Sequence, residues 1–184
     1  MTVESMYAKF EHLQGDSSLK FPKSELIEAM NASDIEVLGI IYAYISEESF
    51  ARRIEPELNI SEVLAFLKRY LGRCIRENPD GDWSDSNYTA GADLVRWFVK
   101  LWKDKTNASA SLELKHWLAE MYKNEGDDVR LVVVNGTLEH LFENKRIRAF
   151  FRDWKQDEVL RRAYDEACSW SAERPVDFDI YGTR

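Results

Sequence analysis

Apolar side chains recur along this sequence at intervals of three and four residues, the spacing that places them on one face of an α-helix. The series near the N-terminus consists of Val3, Met6, Tyr7, Phe10 and Leu13. Similar stripes follow through most of the chain, as far as Ala167. Helices with one apolar stripe bury it by packing against each other. The pattern therefore predicts an all-α fold.

The stripes predict about eight amphipathic helices that pack as antiparallel helical hairpins. A compact bundle and a short solenoid-like array both satisfy this pattern, because no repeated sequence period distinguishes them. With 184 residues, of which 45% are apolar, the chain is long enough to sustain one core. We predict a single helical domain over residues 1–175 and a C-terminal tail over residues 176–184, after Pro175.

One predicted helix is apolar on nearly every side. Ser33 and Glu36 have the spacing of a capping box, which predicts a helix that begins at Ser33. Its body, residues 37–45, is almost wholly apolar, and the helical spacing continues to Phe50 and Ile54. Such a helix is expected at the centre of the fold, with a buried strand as the alternative.

Two further helices have clear polar and apolar sides. Asn59 and Glu62 offer a cap for the first of them. Its apolar stripe comprises Ile60, Val63, Leu64, Leu67, Leu71, Cys74 and Ile75. The second is predicted to direct Leu94, Val95, Phe98, Leu101 and Trp102 inward, and Asp93, Arg96, Lys100 and Lys103 outward. Gly126 is expected to form the left-handed cap that ends a later helix.

The signals conflict over residues 129–143. Residues 131–134 resemble a strand, and Asn135 and Gly136 after them favour a hairpin turn. Residues 137–142, however, have their apolar side chains at helical spacing instead of alternating. We therefore predict a helix from Val129 to Glu143, in which Gly136 allows a neighbouring helix to approach closely. A hairpin is the alternative.

Two short motifs resemble parts of metal sites. Glu113 and His116 have the spacing used in di-iron bundles, but those sites need a second such motif, which this sequence lacks. Residues 80–85 begin like a calcium loop, but Asp85 and Gly91 stand where an EF-hand has glycine and glutamate. A surface histidine and a solvated loop explain both motifs. We predict no metal site and no cofactor.

No catalytic motif is present. The sequence has neither a Gly-x-Ser-x-Gly elbow nor a glycine-rich phosphate loop, and its three histidines lie far apart. An enzyme with an acidic pocket stays as an alternative, because spacing does not show which of the 33 acidic residues meet in space. We favour a non-catalytic interaction module.

The negative charge is concentrated in the first third of the chain. Residues 1–67 contain twelve acidic and five basic residues, which is −7 of the total formal charge of −8. Acidic side chains cluster after the predicted central helix, at Glu47, Glu48, Glu55 and Glu57. We expect this acidic face to bind another protein. Bacterial immunity proteins and antitoxins, as a class, neutralise basic partners in this way, and adaptors also bind through such surfaces.

Two clusters of basic residues provide an alternative. Arg69, Arg73 and Arg76 recur at helical spacing, opposite the apolar stripe of their helix. The second cluster contains Lys145, Arg146, Arg148, Arg152 and Lys155. Together they could bind phosphate or nucleic acid, although a net charge of −8 argues against nucleic acid as a general partner.

The sequence also suggests a location. Cys74 and Cys168 fall on apolar helix faces, as is typical of free thiols in a reducing compartment, and a Cys74–Cys168 disulfide is the alternative. The N-terminus has no signal-peptide pattern. The longest apolar run, residues 37–45, is much shorter than the roughly 20 residues of a membrane span. We therefore predict a cytoplasmic protein without membrane association.

Overall fold

A computed structural model of the chain describes residues 2–172, and the predicted tail over residues 176–184 lies outside them. Contacts between Cα atoms divide the chain into two units, with the boundary between Ser86 and Asn87. Each unit is described by itself. The prediction of one domain over residues 1–175 stays a prediction.

The first unit consists of helices and one very short strand pair. Its elements are α1 (Val3–Gly15), β1 (Phe21–Pro22), α2 (Lys23–Met30), α3 (Ile35–Ser46), α4 (Glu48–Ala51), β2 (Ile54–Glu55) and α5 (Ile60–Glu77). The two strands are parallel, and Phe21 pairs with Ile54. Residues 78–86 form a loop after α5.

Helix α3 is the centre of this unit, as its apolar sequence predicted. It contacts α1, α2, α4 and α5, and Val37, Leu38 and Ile41 are fully buried. Helix α5 begins at the predicted cap, where the side chain of Asn59 accepts from the backbone of Glu62 and the Glu62 carboxylate accepts from the backbone of Asn59. The helical pattern and this cap were therefore sufficient to place the core of the unit.

Both ends of α3 differ from the prediction. The N-cap is Asp34 and not Ser33, because the Asp34 carboxylate accepts from the backbone N–H of Glu36 at 2.9 Å. The helix also stops at Ser46 instead of continuing to Phe50 and Ile54. This break lets Phe50 turn back and pack edge-on against Tyr44, with ring centroids 4.8 Å apart, and it leaves Ile54 in a strand.

The described part of the second unit is also helical. Its elements are α6 (Asn87–Lys103), a 3₁₀ turn (Lys105–Asn107), α7 (Ala108–Asn124), α8 (Asp127–Leu131), a π-helical segment (Val132–Leu138), α9 (Glu139–Phe142), α10 (Lys145–Phe150), a second 3₁₀ turn (Arg152–Gln156) and α11 (Glu158–Ala172). The side chain of Asn144 caps α10, and that of Asp157 caps α11.

The ambiguous segment over residues 129–143 is helical, as predicted, and its centre is a π-helix. Gly136 lies against Gly91 of α6. A Cβ atom added to Gly91 would lie 3.0 Å from the carbonyl oxygen of Gly136. The hydroxyl of Thr137 donates to the Gly91 carbonyl at 3.3 Å. This hydrogen bond stabilises the contact between α6 and the π-helical segment. The close approach predicted for Gly136 is confirmed.

Two predictions for this unit were wrong. Asp93 is buried, with 3% of its surface exposed, because Arg96 one turn later pairs with its carboxylate and extends to the solvent. Gly126 is not a left-handed cap. Its φ is −70° and it is the N-cap of α8, because the chain leaves α7 in an extended conformation and enters α8 at once.

The buried cation Lys115 connects α7 to the segment after α10. Only 4% of its surface is exposed. Its ammonium group donates to the Phe150 carbonyl at 2.8 Å and to the Asp153 carboxylate at 2.5 Å, and it lies 4.6 Å from the centre of the Phe150 ring. A buried charge needs such partners, since desolvation of a lone ammonium is costly.

The predicted all-α class is therefore confirmed, while the arrangement as antiparallel hairpins stays a prediction. Among the helices of residues 2–172, none combines the length and the apolar character required to cross a bilayer.

The contact at Gly39 yields a test of this packing. A Cβ atom at Gly39 would overlap the backbone carbonyl of Trp83 and lie 3.1 Å from the Tyr70 hydroxyl. We therefore expect Gly39→Ala to lower the free energy of unfolding by about 1–3 kcal/mol, measured by urea denaturation. Gly15→Ala is the control, because no atom lies within 4 Å of a Cβ there. Equal stability of the two variants would contradict the packing described.

Candidate functional site

The negative charge of the protein belongs to the first unit. Residues 1–86 contain sixteen acidic and nine basic residues, a net charge of −7, whereas residues 87–184 contain seventeen and sixteen, a net charge of −1. The acidic excess of this unit lies in residues 1–67, because residues 68–86 contain four acidic and four basic residues. A surface that binds a charged partner is therefore best sought on the first unit.

Many basic side chains of this unit are used within it. Lys9 pairs with Glu25, and Lys23 pairs with Glu62 at 2.7 Å. Arg53 donates to the backbone carbonyls of Leu19 and Asp16. These contacts hold the cations against the fold, so they offset few of the exposed carboxylates elsewhere on the unit.

The predicted acidic face, comprising Glu47, Glu48, Glu55 and Glu57, extends from the end of α3 to the residues after β2. All four residues are exposed. Glu47 accepts from the Ser49 hydroxyl at 2.5 Å, and Glu48 pairs with Arg52. That pair is exposed on both sides and contributes little to stability. Glu55 and Glu57 are exposed to the solvent, and the backbone carbonyl of Glu57 accepts from the Lys23 ammonium group at 3.2 Å.

An aromatic pair that the sequence did not reveal lies on the same unit. Tyr7 of α1 and Trp83 of the 78–86 loop have ring centroids 5.0 Å apart and planes inclined at 49°. Tyr7 is 37% exposed and Trp83 is 40% exposed. The prediction that Tyr7 belongs to the buried stripe of α1 was wrong.

Acidic residues flank both members of this pair along the chain. Glu4 and Glu11 stand three residues before and four residues after Tyr7, so all three share one face of α1. Asp80 and Asp82 precede Trp83 in its loop, and both are exposed. Tyr7, Trp83 and these four carboxylates are called the Tyr7–Trp83 surface. The sequence signal was present: a tryptophan inside an acidic loop, and a tyrosine between two glutamates on a helix face.

Tyr44 connects this surface to the acidic face. Burial raises the pKa of Tyr44, and the nearby Tyr7 hydroxyl and the Glu11 and Glu47 carboxylates raise it further. Glu11 belongs to the Tyr7–Trp83 surface and Glu47 to the acidic face, so both act on one hydroxyl group. One carboxylate of each set therefore lies near the Tyr44 hydroxyl.

Buried contacts hold the loop that carries Trp83. The buried Tyr70 hydroxyl donates to the Asp85 carboxylate at 3.0 Å and accepts from the Asp85 backbone N–H, also at 3.0 Å. Burial is the main reason that the pKa of Tyr70 is raised, so this hydroxyl stays protonated and remains a donor. Next to it, the Trp83 carbonyl sits directly on Gly39. Trp83 is thus presented on a rigid support.

Two members of the first predicted basic cluster, Arg69 and Arg73, support the fold, and the third, Arg76, is exposed. Arg69 donates to the carbonyls of Asn31 and Ala32, at 3.0 and 2.9 Å. Arg73 donates to the Ser33 carbonyl at 2.7 Å and forms two bonds with Glu77. These guanidinium groups satisfy backbone acceptors at the turn between α2 and α3, where helix ends leave carbonyls without partners.

The second cluster lies on the other unit. Lys145 and Arg146 are exposed in the first turn of α10, and Arg148 is half-buried. Arg148 and Arg152 act electrostatically on Tyr164, although burial is the larger effect and raises its pKa. Lys155 lies over the Tyr164 ring at 5.3 Å. The members after Arg146 are thus gathered around Tyr164 of α11.

The remaining motifs have ordinary surroundings. His116 is exposed on α7, and Cys74 and Cys168 are free thiols. Within residues 2–172, His, Cys, Asp and Glu side chains form no group of three or more that could hold a metal ion. An apolar crevice beside Phe10 and Tyr44 has Arg53 as its charged lining residue, so it does not match the acidic pocket of the enzyme alternative.

Comparison with known proteins provides no relative for this chain. No protein-family model, no curated protein and no solved structure matches it. The functional argument therefore depends on the chemistry of the surfaces described above.

The role of the first basic cluster can be tested without a change of charge. Arg69→Lys with Arg73→Lys keeps both positive charges but removes the multiple bonds to the α2–α3 turn. We expect the double variant to lose about 1–3 kcal/mol of stability in urea denaturation. Arg52→Lys, on the exposed surface, is the control and should leave stability unchanged. If the double variant unfolds at the wild-type urea concentration, the structural assignment fails.

Proposed function

We propose that this protein is a non-catalytic interaction module that binds a basic protein through the carboxylates of its first unit. The observation that carries the proposal is the separation of charge, which puts a net −7 on residues 1–86. The role belongs to the class in which a small acidic protein neutralises or recruits a basic partner, as immunity proteins, antitoxins and adaptors do.

The physics of charged interfaces supports this choice. Fixed negative charge accelerates the encounter with a positive surface and repels wrong partners. Glu11 of the Tyr7–Trp83 surface and Glu47 of the acidic face both lie near Tyr44, which supports one partner that contacts both surfaces. Nucleic acid fits poorly, because phosphate groups would meet the carboxylates of the same unit. We further propose a cytoplasmic location, since two free thiols are typical of a reducing compartment.

The acidic face can be neutralised to test the proposal. In the variant Glu47→Gln, Glu48→Gln, Glu55→Gln and Glu57→Gln, we expect affinity for a partner purified from the native cell to fall at least about tenfold at low salt. Binding of the wild type should weaken as salt is added. Biolayer interferometry with the isolated partner measures both effects.

A matched control separates a local effect from the loss of net charge. Glu120→Gln, Glu158→Gln, Asp165→Asn and Glu166→Gln remove four exposed charges from the second unit. This control variant should bind as the wild type does. Equal loss of affinity in both variants, or no loss in either, would refute the acidic face as the binding surface.

A further inference from the structure

The Tyr7–Trp83 pair differs from the rest of the first unit's surface. Over the described residues of this unit, Tyr7 and Trp83 are the large apolar side chains that are exposed. Tryptophan and tyrosine are enriched among the residues that contribute most to binding at protein interfaces. The pair therefore marks the position on the acidic unit where a partner gains most from contact.

Each member of the pair has acidic neighbours on its own element. Glu4 and Glu11 flank Tyr7 along α1, and Asp80 and Asp82 precede Trp83 in the loop. Hydrogen bonds at the start of α1 lower the pKa of Glu4 despite the nearby Asp34, so this carboxylate is ionised at neutral pH. Ring faces already attract cations through their quadrupole, and neighbouring carboxylates strengthen that attraction.

The pair is also pre-organised. Tyr70 bonds twice to Asp85, and the Trp83 carbonyl rests on Gly39. A ring held in place before binding loses little conformational freedom when a partner arrives, which favours affinity. The buried supports thus serve an exposed side chain that itself adds little to the core.

We propose that the Tyr7–Trp83 surface binds an arginine side chain of the basic partner, with the guanidinium group stacked on the rings and bonded to the flanking carboxylates. This inference rests on the proposed function. Arginine fits better than lysine, because its planar group stacks on aromatic rings and presents several donors to carboxylates at once. An apolar partner segment fits poorly, since two rings between four carboxylates form no apolar groove.

Short peptides of equal charge test the residue type. Triarginine and trilysine are titrated into the full chain at low salt, and the indole N–H signals of its six tryptophans are followed by NMR. Trp83→Phe assigns the Trp83 signal. We expect triarginine to shift this signal in a saturable way and to bind about two- to fivefold more tightly than trilysine. The signal of Trp170, which is 48% exposed on the second unit, is the internal control and should not move.

Variants then locate the preference. Trp83→Ala should remove the preference for triarginine and leave trilysine affinity unchanged, whereas Trp170→Ala should retain the preference. Tyr7→Phe keeps the ring and should bind as the wild type does. Trp83 is 40% exposed and Trp170 is 48% exposed, so each alanine variant removes a similar share of packing, and urea unfolding checks that both variants stay folded.

The outcomes separate this inference from the proposed function. Equal binding of both peptides to the wild type, or a preference that survives Trp83→Ala, overturns the arginine site but leaves a basic partner in place. If neither peptide binds, or if an oligothymidylate, a single-stranded DNA, binds and the peptides do not, both the inference and the acidic-surface proposal are overturned. A preference lost in Trp83→Ala alone supports the inference.

Discussion

The hydroxyl group of Tyr70 is the contact on which the surface of the first unit depends. It is buried under the 78–86 loop, and the backbone and side chain of Asp85 both bond to it. These bonds, and the packing of the Trp83 carbonyl against Gly39, determine where the loop crosses α3. Trp83 can meet Tyr7 only from that position. One polar group in the interior of the protein therefore arranges the aromatic pair on its surface.

The separation of charge has a structural counterpart. Arg69 and Arg73 of α5 bond to backbone carbonyls at the α2–α3 turn, and the lysines of α1 and α2 pair with glutamates. The first unit thus uses its cations to hold itself together, while its unpaired carboxylates face the solvent. A strongly acidic unit can therefore stay folded and still have a negative electrostatic potential that attracts a positive partner.

The all-α class could be predicted from the sequence, because helical spacing of apolar residues reports directly which face is buried. The helix over residues 129–143 was predicted correctly for that reason. Its π-helical centre was not, because an extra residue in a turn leaves no mark on the apolar pattern. Asp93 was misplaced outward because periodicity treats every carboxylate as solvated, whereas Arg96 supplies the partner that allows burial. The end of α3 was missed because the apolar spacing continues past Ser46, where the chain turns and Phe50 packs back on Tyr44.

The site was harder to predict than the fold. The acidic face was found because charge can be counted along the chain. The Tyr7–Trp83 surface was missed because its two halves, separated by more than seventy residues, meet only through the fold. The basic cluster of α5 was visible as a pattern, but the sequence does not show that carbonyl groups of the α2–α3 turn occupy its guanidinium groups.

The burial of Cys74 has an experimental consequence. Its thiol is fully buried beside Tyr70 and Asp85, and its pKa is raised to about 11, mainly by burial. Only the thiolate reacts with alkylating reagents. The native state therefore protects Cys74 in two ways: burial keeps the reagent out, and the raised pKa keeps the thiol protonated. Its labelling rate therefore reports how often the region beneath the loop opens. With Cys168 replaced by serine, Cys74 is the one thiol of the chain, and its alkylation rate then measures that local motion without an attached dye.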